Sequence, residues 1–81
     1  MSRERSLNWN AVSIREILEF AIADEEDARD YYQHAAQVAV NPHTKNVLEK
    51  LAEMERGHAE TLRAEIEDLD AQRECETAMA D

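Results

Sequence analysis

The chain has 81 residues, 43% of them hydrophobic, with one glycine, one proline and one cysteine. That is the length of a single small domain, apolar enough to argue against disorder. Nineteen acidic against nine basic residues give a formal net charge of −10, which repels nucleic acid and anionic lipid and concentrates cations.

No run approaches the roughly 18 apolar residues of a membrane span. The charged start Met1-Ser2-Arg3-Glu4-Arg5-Ser6 is not followed by the apolar stretch of a signal peptide. Cys75 stands alone, cannot close an internal disulfide and reads as an incidental thiol. The expectation is a cytoplasmic protein with neither nucleic acid nor membrane as partner. Sustained alternation is absent and β-branched and aromatic residues are few, so the fold class is all-α.

Residues 1–10 read as a flexible N-terminal arm, with Trp9 as a packing anchor. Ser13-Ile14-Arg15-Glu16 fits a capping box, in which two otherwise orphaned backbone donors are satisfied reciprocally. A helical pattern then runs to about Val40. Its apolar stripe is Ile14, Leu18, Ala21, Glu25, Ala28, Tyr32, Ala35, Ala39, spaced alternately four and three. Ile17, Ile22 and Ala36 widen it.

Asn41-Pro42-His43-Thr44 is the only break. Asn suits a helix cap and Pro the first helical position. So short a link makes the two helices antiparallel neighbours. The second helix starts at Pro42 or His43 and reaches at least Leu69, with the stripe Leu48, Leu51, Glu55, His58, Leu62, Glu65, Leu69. Residues 11–70 therefore form a helical hairpin, and residues 71–81 a fraying tail or short extra helix.

A lone hairpin leaves much of its apolar surface wet. Small folds solve this with disulfides, metals or oligomerisation, so a dimer forming a four-helix bundle is expected. Glu25, Glu55 and His58 occupy stripe positions where aliphatic residues belong. Burying them costs several kcal/mol unless they are paired or hold a metal. Glu25 lies about as far before the turn as Glu55 and His58 lie after it, so the three come level. Two hairpins face to face would gather four carboxylates and two imidazoles. That is the donor set of di-iron and di-manganese carboxylate bundles, a Glu from two helices and Glu-x-x-His from the other two. Oxygen-rich ligation with one imidazole per metal suits iron or manganese. Two rival readings use the same residues: a polar layer that only sets register in a helical dimer, and metal binding without turnover.

Other positions are less specific. Tyr32, one heptad after Glu25, either bonds its hydroxyl to a ligand carboxylate or simply packs. Asp24 and Asp27 read first as a solvated acidic face. Glu65 is a further ligand or a water-exposed acid near the bundle end. His34 and His43 read as surface histidines. Tyr31, His34 and Val38 with Asp27 make a second flank, pointing to a contact surface and a larger ring. Gly57 permits close approach of a neighbouring backbone.

Glu25-Glu26-Asp27-Ala28-Arg29-Asp30-Tyr31-Tyr32, followed by Leu48-Glu49-Lys50-Leu51-Ala52-Glu53-Met54-Glu55-Arg56-Gly57-His58-Ala59-Glu60-Thr61-Leu62, resembles the ferritin-like superfamily, and within it the rubrerythrins. The resemblance covers residues 14–69. Two helices in place of four is similar to the encapsulated ferritins, whose two-helix subunits dimerise to build a di-iron site. The resemblance implies Glu25, Glu55 and His58 as ligands of two irons per dimer, and Tyr32 as a hydrogen-bonded neighbour. It aligns Asp24 and Asp27 with positions that admit metal. It also implies a ferroxidase that turns Fe(II) into Fe(III) for storage or detoxification, a homodimer or ring of dimers, and an encapsulin shell as the separate enclosure. Two features depart from these families. No Cys-x-x-Cys pair is present for a rubredoxin-type iron centre, which counts against an electron-fed peroxidase. The C-terminus lacks the small apolar docking tail of encapsulated cargo.

Overall fold

The computed structural model describes residues 8–80, with side chains described over 8–73. Its elements are α1, Ile14–Val38, and α2, Pro42–Ala80. Ser13 begins α1 as the sequence pattern requires. Its hydroxyl accepts from the Glu16 N–H at 3.1 Å, and the Ser13 N–H donates to Glu16 Oε1 at 2.9 Å, completing the capping box. A turn precedes it, in which the Ala11 and Val12 N–H groups both donate to the Asn8 carbonyl at 2.9 Å.

α1 stops at Val38, two residues before the apolar pattern fades. Ala39 is already extended, with ψ 130°, while its N–H still donates to the Ala35 carbonyl at 3.0 Å. Pro42 disfavours helical backbone at Asn41, which leaves Asn41 free to cap α2. Its Oδ1 accepts from the Thr44 N–H at 3.1 Å. Pro42 takes the first helical position, where its missing donor leaves nothing unsatisfied.

Polar ties between the helices show the antiparallel register. Lys45 Nζ donates to the Ala36 carbonyl at 2.9 Å beside the turn. His58 meets Glu25, and Arg63 meets Glu26, midway. Arg15 meets Asp70 at the open end. α2 has 39 residues against 25 in α1, so residues 71–80 run on past the start of α1. The weakening of the apolar pattern after Leu69 therefore marks no break. It marks where α1 stops lying alongside, and good helix formers such as Ala71, Gln72 and Arg73 continue the helix without it.

The molecule measures 61 × 26 × 11 Å. Its thickness is about one helix with side chains. Its radius of gyration is 17.2 Å, against about 12 Å for a compact domain of this length. Among the described residues only Ala36, Ala52 and Ala59 are buried. This corrects the sequence expectation in one respect. Ala52 and Ala59 each follow a stripe residue, Leu51 and His58, by one position, about 100° round the helix. The stripes thus border the line of contact instead of filling it. Ile14, placed on the stripe, is exposed, and so is Trp9, expected as an anchor. A single layer of two helices has no third element to cover them. Tyr31 and Val38 on the second flank are exposed too. No described helix is long and apolar enough to cross a membrane.

The caps can be tested directly. Ser13→Ala and Asn41→Ala should each lower stability by about 1 kcal/mol, read as an earlier thermal transition in circular dichroism. An unchanged transition in Ser13→Ala would mean that the reciprocal cap contributes nothing.

Candidate metal centre

Glu55 and His58, three residues apart on α2, project from one face. Glu25 reaches the same point from α1. His58 Nδ1 lies 2.9 Å from Glu25 Oε2 and 3.1 Å from Glu55 Oε1. One ligand atom from each of the three residues falls within 4.8 Å of the others. In the tautomer that carries a hydrogen on Nδ1, the ring donates to both carboxylates. In the other tautomer Nδ1 carries a lone pair that can hold a cation, and a ring open to water allows either.

The side chains of Glu25 and Glu55 are 25% and 20% exposed, whereas His58 is 56% exposed. The stripe reading puts His58 in the seam between two paired hairpins, and in the single hairpin it lies at the edge. It sits about 100° from Ala59 on the helix, so it borders the open face beside Leu51 and Leu62. Two grooves along the hairpin are lined by Gln33, Gln37, Lys45 and their neighbours and by residues around Arg15 and Leu69. Neither contains a cluster residue. The cluster is an open notch on one face of the layer.

Nearby acids have permanent cationic partners. Arg56 pairs with Glu53 and Glu60, Arg63 with Glu26, and Arg29 with Asp30 at 2.8 Å. The hydrogen bond from Arg56 holds the Glu53 carboxyl below the ordinary carboxylate range and raises the guanidinium in turn. Arg15 is raised likewise by its hydrogen bond to Asp70. Glu25 and Glu55 are instead partnered by a histidine. An arginine would neutralise them permanently, since it does not deprotonate in proteins. A neutral imidazole can join them in holding a metal. Two carboxylate oxygens and one imidazole nitrogen fit iron or manganese, and helices on both sides hold them in place.

The remaining sequence candidates lie outside this cluster. Tyr32 is half-buried, and its ring packs edge-on against Tyr31 with centroids 5.5 Å apart. The hydrogen bonds of Glu25 and Glu55 given above run to His58, and among the described residues none joins Tyr32 to them. Asp24 is half-buried and Asp27 exposed, and each makes interactions of its own. Glu65, His34 and His43 are exposed. A Cβ added at Gly57 would meet nothing within 4 Å, so no close approach within the hairpin requires glycine there. Sequence spacing missed the Arg63–Glu26 and Arg15–Asp70 ties, because none of the four lies on a stripe.

An acid–acid–histidine cluster held across an antiparallel α-hairpin belongs to the ferritin-like class of helical proteins. Residues 16–80 match the family model described as Rubrerythrin. The chain is a member of the rubrerythrin family. No curated protein and no solved structure matches it.

A cation bound by the folded chain alone must stabilise it, by about 2.7 kcal/mol at a hundredfold excess over the dissociation constant. Adding Mn(II) or anaerobic Fe(II) should raise the melting temperature of the wild type. The rise should vanish in His58→Ala and in Glu55→Ala. A rise that persists in both would locate binding elsewhere.

Proposed function

We propose that the chain is a ferroxidase subunit whose di-iron site forms across a homodimer, oxidising Fe(II) to Fe(III) for iron storage or detoxification. The observation that carries this reading is the convergence of Glu25, Glu55 and His58 on one open face, in a member of the rubrerythrin family. One hairpin supplies two carboxylates and one imidazole. A second copy packed on the same face would double that set by symmetry and complete the arrangement of two Glu and two Glu-x-x-His helices. It would also cover the half-exposed aliphatic edge beside His58.

In this reading two Fe(II) substrates each lose one electron. O₂ taking both with two protons leaves as H₂O₂, or H₂O₂ taking both with two protons leaves as two waters. Glu25 and Glu55 bind the higher charge of the product more strongly than that of the substrate, which favours oxidation. His58 supplies the nitrogen donor and fixes how the carboxylates are spaced. Tyr32, one heptad from Glu25, is the residue the family resemblance assigns beside the site, and Asp24 and Asp27 on the same helix add negative potential along the approach for cations. Manganese is the alternative occupant. A hairpin this thin encloses no volume, so the product must be gathered by another body, for which a ring of dimers inside an encapsulin shell is the arrangement proposed.

The test is aerobic Fe(II) addition to wild type and Glu55→Ala, followed by absorbance of Fe(III) and by oxygen consumption. Wild type should oxidise at least tenfold faster, and equal rates would remove the enzymatic claim. Native mass spectrometry should give two metals per dimer. A metal-free dimer indifferent to chelator would support a purely structural polar layer, and stoichiometric binding without oxygen uptake would support a non-catalytic binder.

A further inference from the structure

Among the described residues the fully buried positions between α1 and α2 are Ala36, Ala52 and Ala59, with larger aliphatic residues such as Leu18, Leu51 and Leu62 half-buried. Alanines let two helices approach closely, but they offer no large knob to lodge in a facing hole. Such a seam sets the distance between the helices and leaves their rotation about it weakly determined. The cluster nevertheless demands a definite rotation. A turn of α1 by one residue position, about 100°, would carry Glu25 away from His58 altogether, and much smaller rotations would break a 2.9 Å contact.

Polar ties across the hairpin add the directional constraint on the roll that alanines do not supply. Two of them, Lys45 to the Ala36 carbonyl and Arg15 to Asp70, lie at the ends of the paired region. One lies at the level of the cluster, where Arg63 meets Glu26, the residue next to Glu25. Arg63 is five residues beyond His58, about 140° round α2, and Glu26 is about 100° round α1 from Glu25. Measured from Ala59, His58 and Glu55 fall to one side of the seam and Arg63 to the other. The two contacts thus span the seam from opposite sides and oppose each other's rotation.

We infer that the Arg63–Glu26 ion pair is the positioning element of the cluster, holding α1 at the roll that brings Glu25 to His58. Both side chains are partly exposed, 50% and 34%, and exposed pairs contribute little to stability. The pair's effect is on geometry. Its consequence for metal affinity rests on the proposed site, while its effect on the Glu25–His58 contact does not.

The test uses the full-length, metal-free chain. The side-chain nitrogen chemical shifts of His58 report its contact with the two carboxylates. Arg63→Ala and Glu26→Gln should move them away from wild type at fixed pH. The exchanged pair, Glu26→Arg with Arg63→Glu, should restore them. Arg15→Ala, which breaks a tie at the end of the paired region, should leave them in place. Wild-type shifts in Arg63→Ala, or failure of the exchanged pair to restore them, would overturn the inference. Co(II) affinity should fall about tenfold in Arg63→Ala, the lower end of what residues supporting a metal ligand contribute. Moved His58 shifts in a protein whose wild type binds no Co(II) would support the positioning role and sink the metal reading alone.

Discussion

A carboxylate can be paired with a group whose charge is permanent or with one whose charge is not, and the choice of partner decides what the site can become. Glu26, Glu53 and Glu60 are given arginine. Glu25 and Glu55, at the centre of the paired helices, are given His58. Arginine would finish the electrostatic problem and close the site to any other cation. Histidine leaves it open, because the same ring nitrogen that faces the carboxylates can also hold a metal. The difference lies in side-chain chemistry alone, since all five acids sit on the same two helices.

The thinness of the layer gives that choice its meaning. A slab 11 Å thick has no interior in which charge could be hidden, and among the described residues the buried ones are three alanines. The cluster consequently lies at the border of an open face. On the proposed reading, a second hairpin supplies the missing low-dielectric side and the missing half of the ligands in one step. Assembly and metal binding would then reinforce each other, because each reduces the charge repulsion or the wet apolar area that opposes the other.

Much of this was legible in the sequence because it depends on local rules. Ser13 with Glu16, and Asn41 with Pro42, mark helix starts through bonds to groups within three residues, and both caps form. Glu25, Glu55 and His58 were legible because they break an apolar stripe, and a break at equal depth on two helices has few explanations. What escaped was contact across the hairpin. Periodicity gives the width of an apolar face and not its centre, so the alanine seam was displaced by one residue from the stripe, and His58 borders the open face of the single hairpin. Arg63 with Glu26 has no spacing signature, since the partners meet only after the turn has been made. Trp9 and Ile14 are exposed in the single hairpin for a related reason: hydrophobicity says that a side chain gains from cover, not that one chain can provide it.

On the proposed reading, membership of the rubrerythrin family sharpens what a pair of such hairpins has to achieve. A four-helix chain can vary its two halves separately, so each ligand can be tuned alone. If two identical hairpins form the bundle, every residue at the site acts twice, and a substitution in Glu55 removes two donors together. The same doubling applies to Arg63 and Glu26, so an error in roll would enter from both sides of the site. A symmetric centre is therefore less tolerant of imprecise helix packing than a centre built within one chain. A seam of alanine, which resists rotation poorly, would be an unsuitable base for it without polar struts at the level of the ligands.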